Sequence, residues 1–515
     1  MIRGSMILRF GLAGTLLLPA SLVAQDAARG KAVYEKWCLE CHGETGEGDG
    51  AGAKFMLPPP RNFTQAVYQI RSTASGELPT DADIMRVLDE GMPGTAMPEW
   101  ESKLSSTERQ DVMAYIKTFS SFFEGAKPTE ISFGSAPGSS KEGIEEGRKT
   151  FEKLECFKCH GTAGRGDGKS SPTLKDDLGF PMRAADLTHN WNFNGGGTVE
   201  DIYHRLRTGL DGTPMPSFSD ALDSKIITEE QLWRVAQYVR SLSPEKALDV
   251  KEVIRAPRAT GALPAAASDS AWNAVAPTFV PLVGQIIEKP RWFMPNVDGV
   301  CVRAMHNDTT VVLQVSWTDR SQSPAPAWDE WLNRVNKTAS DIDGAVPSKQ
   351  GPDRLWVQFP KKITSDDERP YFLGGNTKKP VYLWRWASSP DVLEEGAGTG
   401  LGKFAAAAST ETRHSAVYDQ GQWRLQFTRS LVPADSAAAP VFRTGVTIPV
   451  AFFAADGSNG ETENRGSVSA WYFVYLDTPT PPTVYVVPVL ALVLTAGLCY
   501  VVVWRAQQRG PGARR

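Results

Sequence analysis

The 515-residue chain has few cysteines, few histidines and no strong surplus of either charge. Six cysteines over this length cannot organise it as a disulfide scaffold. Four of them fall in two short strings, Cys38-Leu39-Glu40-Cys41-His42 and Cys156-Phe157-Lys158-Cys159-His160, which leaves Cys301 and Cys499 single. With 55 Lys and Arg against 59 Asp and Glu and no long basic run, the charge pattern gives a nucleic-acid partner nothing to hold. A paired-carboxylate site, a nucleophile loop and a phosphate-cradling glycine motif are also missing, so no residue stands out as catalytic. What is present is a 41% hydrophobic, 22% charged composition, which excludes a mainly disordered chain and a polytopic membrane protein. At roughly 150 residues each, about three domains fit.

Two terminal segments read as targeting and anchoring. Residues 1–24 form a secretory signal, with Arg3 and Arg9 before an apolar core from Phe10 to Val23 that is short for a membrane span. Leu22 is a poor residue near the expected cut, so the cleavage site stays open and an uncleaved anchor is the alternative. Residues 484–504 are 21 uncharged residues in a row, enough for a tilted transmembrane helix, with Pro488 near its start. Arg505, Arg509, Arg514 and Arg515 follow in a tail of residues 505–515. Positive residues stay cytoplasmic, so the bulk is expected on the periplasmic side of a bacterial inner membrane, held by a single pass. That exported part is net acidic, which suits an encounter with a basic patch on a soluble partner.

The two cysteine strings belong to a repeat. Gly48-Asp49-Gly50 recurs as Gly166-Asp167-Gly168 and Gly94-Thr95-Ala96-Met97-Pro98 as Gly212-Thr213-Pro214-Met215-Pro216, both at the offset of 118 that relates the strings. Tyr34-Glu35-Lys36 before the first string matches Phe151-Glu152-Lys153 before the second. Val112, Tyr115 and Ile116 match Val235, Tyr238 and Val239, each set on one face of a helix. Each copy is expected to run helix, cysteine motif, glycine loop, irregular segment, short helix, Met loop, final helix. Residues 126–141, rich in Gly, Pro and Ser, link the copies.

Cys-x-x-Cys-His reads as covalent attachment of a c-type haem. Zinc would need further Cys or His at ligand spacing, and a thioredoxin-like motif would need a βαβ setting. We expect thioethers from Cys38 and Cys41 to one haem and from Cys156 and Cys159 to a second. His42 and His160 would be iron ligands, opposite Met97 and Met215; a His/Met pair closes the iron to substrate and suits electron transfer. Met92 and Met182 are the nearest alternatives, and neither has a counterpart in the other copy. His189 and His204 are also unpaired between copies and read as ordinary histidines. On these motifs, residues 26–125 and 142–243 resemble two tandem class I c-type cytochrome domains. The resemblance implies an all-α fold around each haem and a proline, one of Pro58, Pro59 or Pro60, near the first haem histidine.

After residue 243 the texture changes. Residues 244–268 read as a linker, Ala- and Pro-rich from Ala256 on. Segments 311–317, 355–359, 381–386, 423–427 and 470–476 are β-branched and aromatic and read as strands, and ten of the 15 tryptophans lie between 269 and 478. A β-sandwich is expected. The order Ala271-Trp272, Val302 to Asp308, Trp317-Thr318-Asp319, Arg354 to Pro360, Pro370 to Gly375, Pro380 to Trp386, Pro449 to Gly460 and Ser469 to Tyr472 resembles the haem-binding gamma subunit of ethylbenzene dehydrogenase and related molybdenum enzymes of the dimethyl sulfoxide reductase family. That resemblance implies a b-type haem held between a Met and a Lys. Here Leu373 or Gly374 stands at the Met position and Gly466 at the Lys position, so a third haem, haem b, lacks its expected ligands. Met294, Met305, His306, Lys378 and Lys379 are the other conceivable ligands, each with an ordinary structural reading. Cys301 reads as a buried strand residue.

The expectation is therefore a multidomain protein: two all-α cytochrome c domains, one all-β sandwich and one C-terminal transmembrane helix. Its expected role is electron transfer, as haem subunit or partner of a periplasmic molybdenum oxidoreductase in a respiratory chain. Its partners would be redox proteins: a soluble cytochrome, a terminal oxidase or the molybdenum enzyme's other subunits. The alternatives are a dihaem peroxidase-like enzyme, which needs an open iron, and a ligand-binding sensor or docking protein.

Overall fold

The computed structural model describes residues 26–245, 250–339, 342–343, 346–363, 369–479 and 483–508. The signal segment 1–24 and the tail arginines at 509, 514 and 515 lie outside them. The chain divides into two units: one holds the chain up to Ala53 with Pro60–Ser132, the other Lys54–Pro59 and everything from Phe133 on.

Glycine decides how the helices of the first unit cross. Its helices are α1 (Ala27–Trp37), α2 (Leu39–His42), α3 (Asp81–Glu90) and α4 (Ser106–Lys117). Thr80 and Asp83 form a capping box on α3, and Ser105 and Glu108 one on α4, so the orphan amides at both starts are paired. A Cβ at Gly30 would stand 1.9 Å from the Asp111 carbonyl oxygen, so only glycine lets α1 lie this close to α4. One turn on, Tyr34 meets Tyr115 edge-on at 5.3 Å. Arg29 Nε donates to Asp111 at 2.7 Å and holds that carboxyl below its usual range.

The same crossing recurs in the second unit. Its helices are α5 (Lys141–Lys153), α6 (Phe157–His160), α7 (Val199–Thr208), α8 (Ser219–Asp223) and α9 (Glu229–Leu242). A Cβ at Gly147 would lie 2.0 Å from the Arg234 carbonyl oxygen, and Phe151 meets Tyr238 at 5.4 Å. The matched pairs Gly30/Gly147 and Tyr115/Tyr238 give the sequence repeat a shared packing cause.

The strands that follow are β1 (Val253–Ala256), β2 (Thr278–Pro281), β3 (Val283–Gly284), β4 (Gly299–His306), β5 (Thr310–Thr318), β6 (Arg354–Pro360), β7 (Val381–Ser388), β8 (Asp391–Gly398), β9 (Phe404–Ala406), β10 (Arg413–Asp419), β11 (Gln422–Ser430), β12 (Thr447–Ala455), β13 (Ser467–Val468) and β14 (Tyr472–Leu476). One sheet runs β1-β14-β12-β6-β7-β8-β9, with β13 and β3 attached through β12; the other runs β10-β11-β5-β4-β2. Alternate residues of both sheets, among them Val315, Trp317, Val357, Trp384, Leu425 and Phe452, share one apolar core.

Three details correct the sequence reading. Val253–Ala256, inside the segment read as linker, is a strand parallel to β14, with Ile254 and Ala256 turned into the core. The β region is not all-β: helix α10 (Asp329–Ala339) stands between β5 and β6 and buries Trp331, Leu332 and Val335. Cys301 is only half-buried on β4, opposite Phe279 and Ser316. At the chain's end, α11 (Thr483–Gln508) is long and apolar enough to cross a membrane, with mean hydropathy 2.6.

Carboxylates tie the loops at one edge of the sandwich. Asp353 is 0% exposed, Asp456 and Glu461 1%, and Asp319 3%. Asp353 accepts from Ser323 N, Trp423 Nε1 and Gly457 N at 2.8–3.0 Å. Glu461 accepts from Trp292 Nε1 at 3.1 Å and Asp456 N at 2.9 Å. Burial pushes Asp353 up to about 8 and Glu461 to about 7, and raises Asp319 as well.

Two outcomes follow. Gly30→Ala should destabilise the first unit by about 1–3 kcal/mol through overpacking, read as a lower melting temperature by circular dichroism. The folded carboxyls bind protons more tightly than the unfolded chain, so their stabilising contribution is present at acid pH and lost as pH rises through 7 to 8. The second unit should therefore melt lower at alkaline than at mildly acidic pH, and Asp353→Asn should flatten that slope.

Candidate functional site

Each cysteine motif forms a single helical turn stopped by glycine. In the first repeat α2 ends at Gly43, whose φ of +79° favours glycine, and Tyr34 Oη donates to the Gly43 carbonyl at 2.7 Å. The chain then folds back over the motif. Gly48 N donates to His42 O at 2.9 Å and Gly50 N to Cys41 O at 3.2 Å. In the second repeat Gly166 N donates to His160 O at 2.8 Å and Gly168 N to Cys159 O at 3.2 Å.

The histidine rings are held the same way. His42 Nδ1 lies 3.0 Å from the Arg61 carbonyl oxygen, and His160 Nδ1 lies 3.0 Å from that of Ala185. A carbonyl only accepts, so Nδ1 carries the proton and Nε2 keeps its lone pair for a metal. Burial pushes both imidazoles down, which favours the neutral ligand form. Phe63 stacks on His42 with centroids 4.5 Å apart.

The accepting carbonyls sit on a matched turn. Thr64 N donates to Asn62 Oδ1, and Thr188 N to Asp186 Oδ1, both at 2.9 Å. Phe63 N donates to Gly46 O, and Leu187 N to Gly164 O. Arg61 and Ala185 are 124 residues apart, not 118, so six extra residues precede this turn in the second repeat. Sequence reasoning missed both carbonyls. The signal was Asn62-Phe63-Thr64 against Asp186-Leu187-Thr188, hidden by that shift.

The Met loops are superimposable in their bonding. Gly91 and Gly209 stop α3 and α7 at φ +69° and +67°. Met92 N donates to Met97 O at 3.0 Å, and Leu210 N to Met215 O at 3.1 Å. The hydroxyls of Thr95 and Thr213 accept from Met97 N and Met215 N, each at 3.2 Å, and donate back to Met92 O and Leu210 O, each at 2.7 Å. Met97 packs into the same apolar cluster as Cys38 and Phe63, and Met215 into that of Cys156 and Phe157. Met92 therefore serves its loop through the backbone. Met182 N donates to Leu174 O. His189 stacks on Trp191 and His204 on Phe133.

All four motif cysteines are free thiols, and burial raises each, Cys38 and Cys156 to about 12. The donor set of each repeat, two thiols, an imidazole with a free Nε2 and a thioether, fits a c-type haem.

Among its described residues the β domain offers no comparable site. Leu373 is packed with Trp356, Phe453 and Val468, and a side chain at Gly466 would meet the Ala454 carbonyl oxygen at 2.4 Å. The cavity between Trp356, Leu373 and Phe453 measures about 10 Å³. His306 has both ring nitrogens 3.0 Å from carbonyl oxygens, and Met294 is packed among Trp292 and Trp331. These residues do not fit a haem b.

Residues 27–120 and 144–243 match the cytochrome c family model, and these two segments are cytochrome c domains, a class whose prosthetic group is covalently bound haem. The chain is similar to the putative respiratory nitrate reductase heme subunit ORF7 of Haloferax mediterranei, 25% identical over 248 residues that cover 47% of this chain and 80% of that one. It is also similar to the cbb3-type cytochrome c oxidase subunit CcoP of Rhodobacter capsulatus, 26% identical over 43% of this chain and 64% of that one. Among solved structures, a chain of the Kuenenia stuttgartiensis reducing HAO-like protein complex Kustc0457/Kustc0458 shares 43% identity over 43% of this chain and 98% of that chain, with a TM-score of 0.40.

Thr95→Val and Thr213→Val should each loosen one Met loop by about 1–2 kcal/mol, since an acceptor and a donor are lost together. Amide exchange should quicken in residues 92–97 or 210–215 alone.

Proposed function

We propose that the chain is a dihaem c-type cytochrome that carries electrons in a respiratory chain, anchored by α11. The observation that carries this is the duplicated bonding pattern: the same carbonyl, glycine and threonine contacts recur around His42 and His160 and in the loops of Met97 and Met215. Cys38 and Cys41 would hold one haem, Cys156 and Cys159 the other. Bound there, the haem iron supplies a one-electron ferric/ferrous couple. The protein's part is to fix each imidazole's tautomer, to hold a thioether in a braced loop, and to surround both with apolar side chains. The alike bonding of the two Met loops argues against one repeat being an open, peroxidase-like site.

The likeness to a nitrate reductase heme subunit supports a finer reading. In it the β domain docks the chain to a periplasmic molybdenum oxidoreductase, and the cytochrome repeats link that enzyme to a soluble cytochrome or a terminal oxidase. The domain would dock without carrying haem b.

A pyridine haemochrome spectrum of the protein made with periplasmic haem maturation should give two haem c and no haem b per chain. Replacing Cys156 and Cys159 by Ser should leave one. A haem b signal would overturn the docking-only role of the sandwich, and fewer than two haem c in the unaltered chain would overturn the dihaem assignment.

A further inference from the structure

The second repeat differs from the first in what packs against its glycine loop. The Gln420-Gly421 tip of the β10–β11 hairpin lies on it. A Cβ at Gly421 would meet Asp167 and Arg165 at 2.9–3.0 Å, and Arg165 donates to the Gln420 carbonyl at 2.9 Å. Arg320, just past β5, donates to the Ala184 carbonyl at 3.3 Å. It also packs against Gly166, where a Cβ would lie 3.0 Å from its Nε. Arg183 donates to the Met294 and Pro295 carbonyls at 3.1 and 3.0 Å. So the β domain contributes one guanidinium of its own and holds two from the repeat.

These arginines are not cancelled by close pairing. Arg165, Arg183 and Arg320 each keep a buried Nε–H with no hydrogen-bond acceptor. Asp167 lies close to Arg165 and Arg320, and Asp298, Asp456 and Glu461 act on Arg183. In the first repeat the corresponding positions hold Glu47 and Pro59, with Asp49 on the loop and Arg61 at the turn. Over the matched loop positions the second repeat is less negative than the first, and Arg320, which has no counterpart among them, adds a further positive charge. Positive charge in a poorly solvated setting stabilises the reduced, less positive iron.

We propose that the β-sandwich, through Arg320 and the carbonyls that hold Arg165 and Arg183, sets the reduction potential of the second haem above that of the first. This rests on the dihaem reading given above. Arg320 is a positioning residue here: it acts on the iron through its charge and through the loop that bears the Ala185 carbonyl.

The test is an equilibrium redox titration of the full-length protein in detergent, followed at the haem α band. Comparison with Met97→His, which would lower the first site's potential, marks which step of the unaltered protein belongs to that site. The expected result is that the unmarked step is the higher in potential and that Arg320→Gln lowers it alone, with about a tenfold fall in the ferrous-to-ferric ratio at fixed potential. Arg320→Lys, which keeps the charge, should restore most of the shift, and a purely structural role would not produce that rescue. If Arg320→Gln does not take up haem, Arg183→Gln is titrated with the same expected sign. The proposal is overturned if the marked step is the higher, or if the arginine variants move neither step or both equally. Haem staining separates the cases: loss of covalent haem in the unaltered protein overturns the dihaem reading itself, whereas two haems with an unmoved second step overturn only this inference.

Discussion

One hydrogen bond organises each cytochrome repeat, the Nδ1–H of the motif histidine to a loop carbonyl at 3.0 Å. It selects the tautomer, sets the ring's rotation and ties the turn after the motif to a distant turn, Arg61–Thr64 or Ala185–Thr188. The glycine loop must then pass between these two anchors, which is why Gly48 and Gly166 are bonded to the histidine's own carbonyl. Glycine is required because a Cβ would strike Pro60 O in one repeat and Ala184 O in the other, at 2.5 and 2.6 Å. The helix crossings at Gly30 and Gly147 close the same frame from the other side.

On this common frame the two repeats have diverged in charge and in setting. The second is continuous with a two-sheet β domain whose own polar interior is organised by buried carboxylates taking N–H donors. Asp319 belongs to that interior, and its neighbour Arg320 reaches the cytochrome loop. A single step along the chain thus joins the buried polar edge of the sandwich to the surroundings of His160.

Much of this was legible in the residues. Cys-x-x-Cys-His and Gly-Thr-x-Met-Pro are dense local motifs with a chemical reason for each position, and their common offset revealed the duplication. The strands with continuous aromatic and β-branched runs, such as β5, β6 and β7, were equally plain. What stayed hidden was whatever depends on backbone atoms or on contacts far apart in the chain. The carbonyls of Arg61 and Ala185 carry no side-chain signature, and a six-residue shift masked their equivalence. Strand β1 is four residues long and takes its partner from more than two hundred residues away. Helix α10 had apolar residues at helical spacing, Trp331, Leu332, Val335 and Ala339, but its surroundings read as strand. Arg320 looked like any charge after a strand.

Hairpin tips are where β proteins usually absorb insertions, because the turn faces water. The Gln420-Gly421 tip is different, since it rests on Arg165 and Asp167. Its length is therefore constrained from outside the sheet. A longer turn would lift Arg165 from its carbonyl, and a longer glycine loop would push the hairpin away. The second repeat and the sandwich consequently cannot be exchanged as independent modules. A graft of another cytochrome repeat into residues 142–243 would have to carry a loop of the same reach, and the two segments can change length only together.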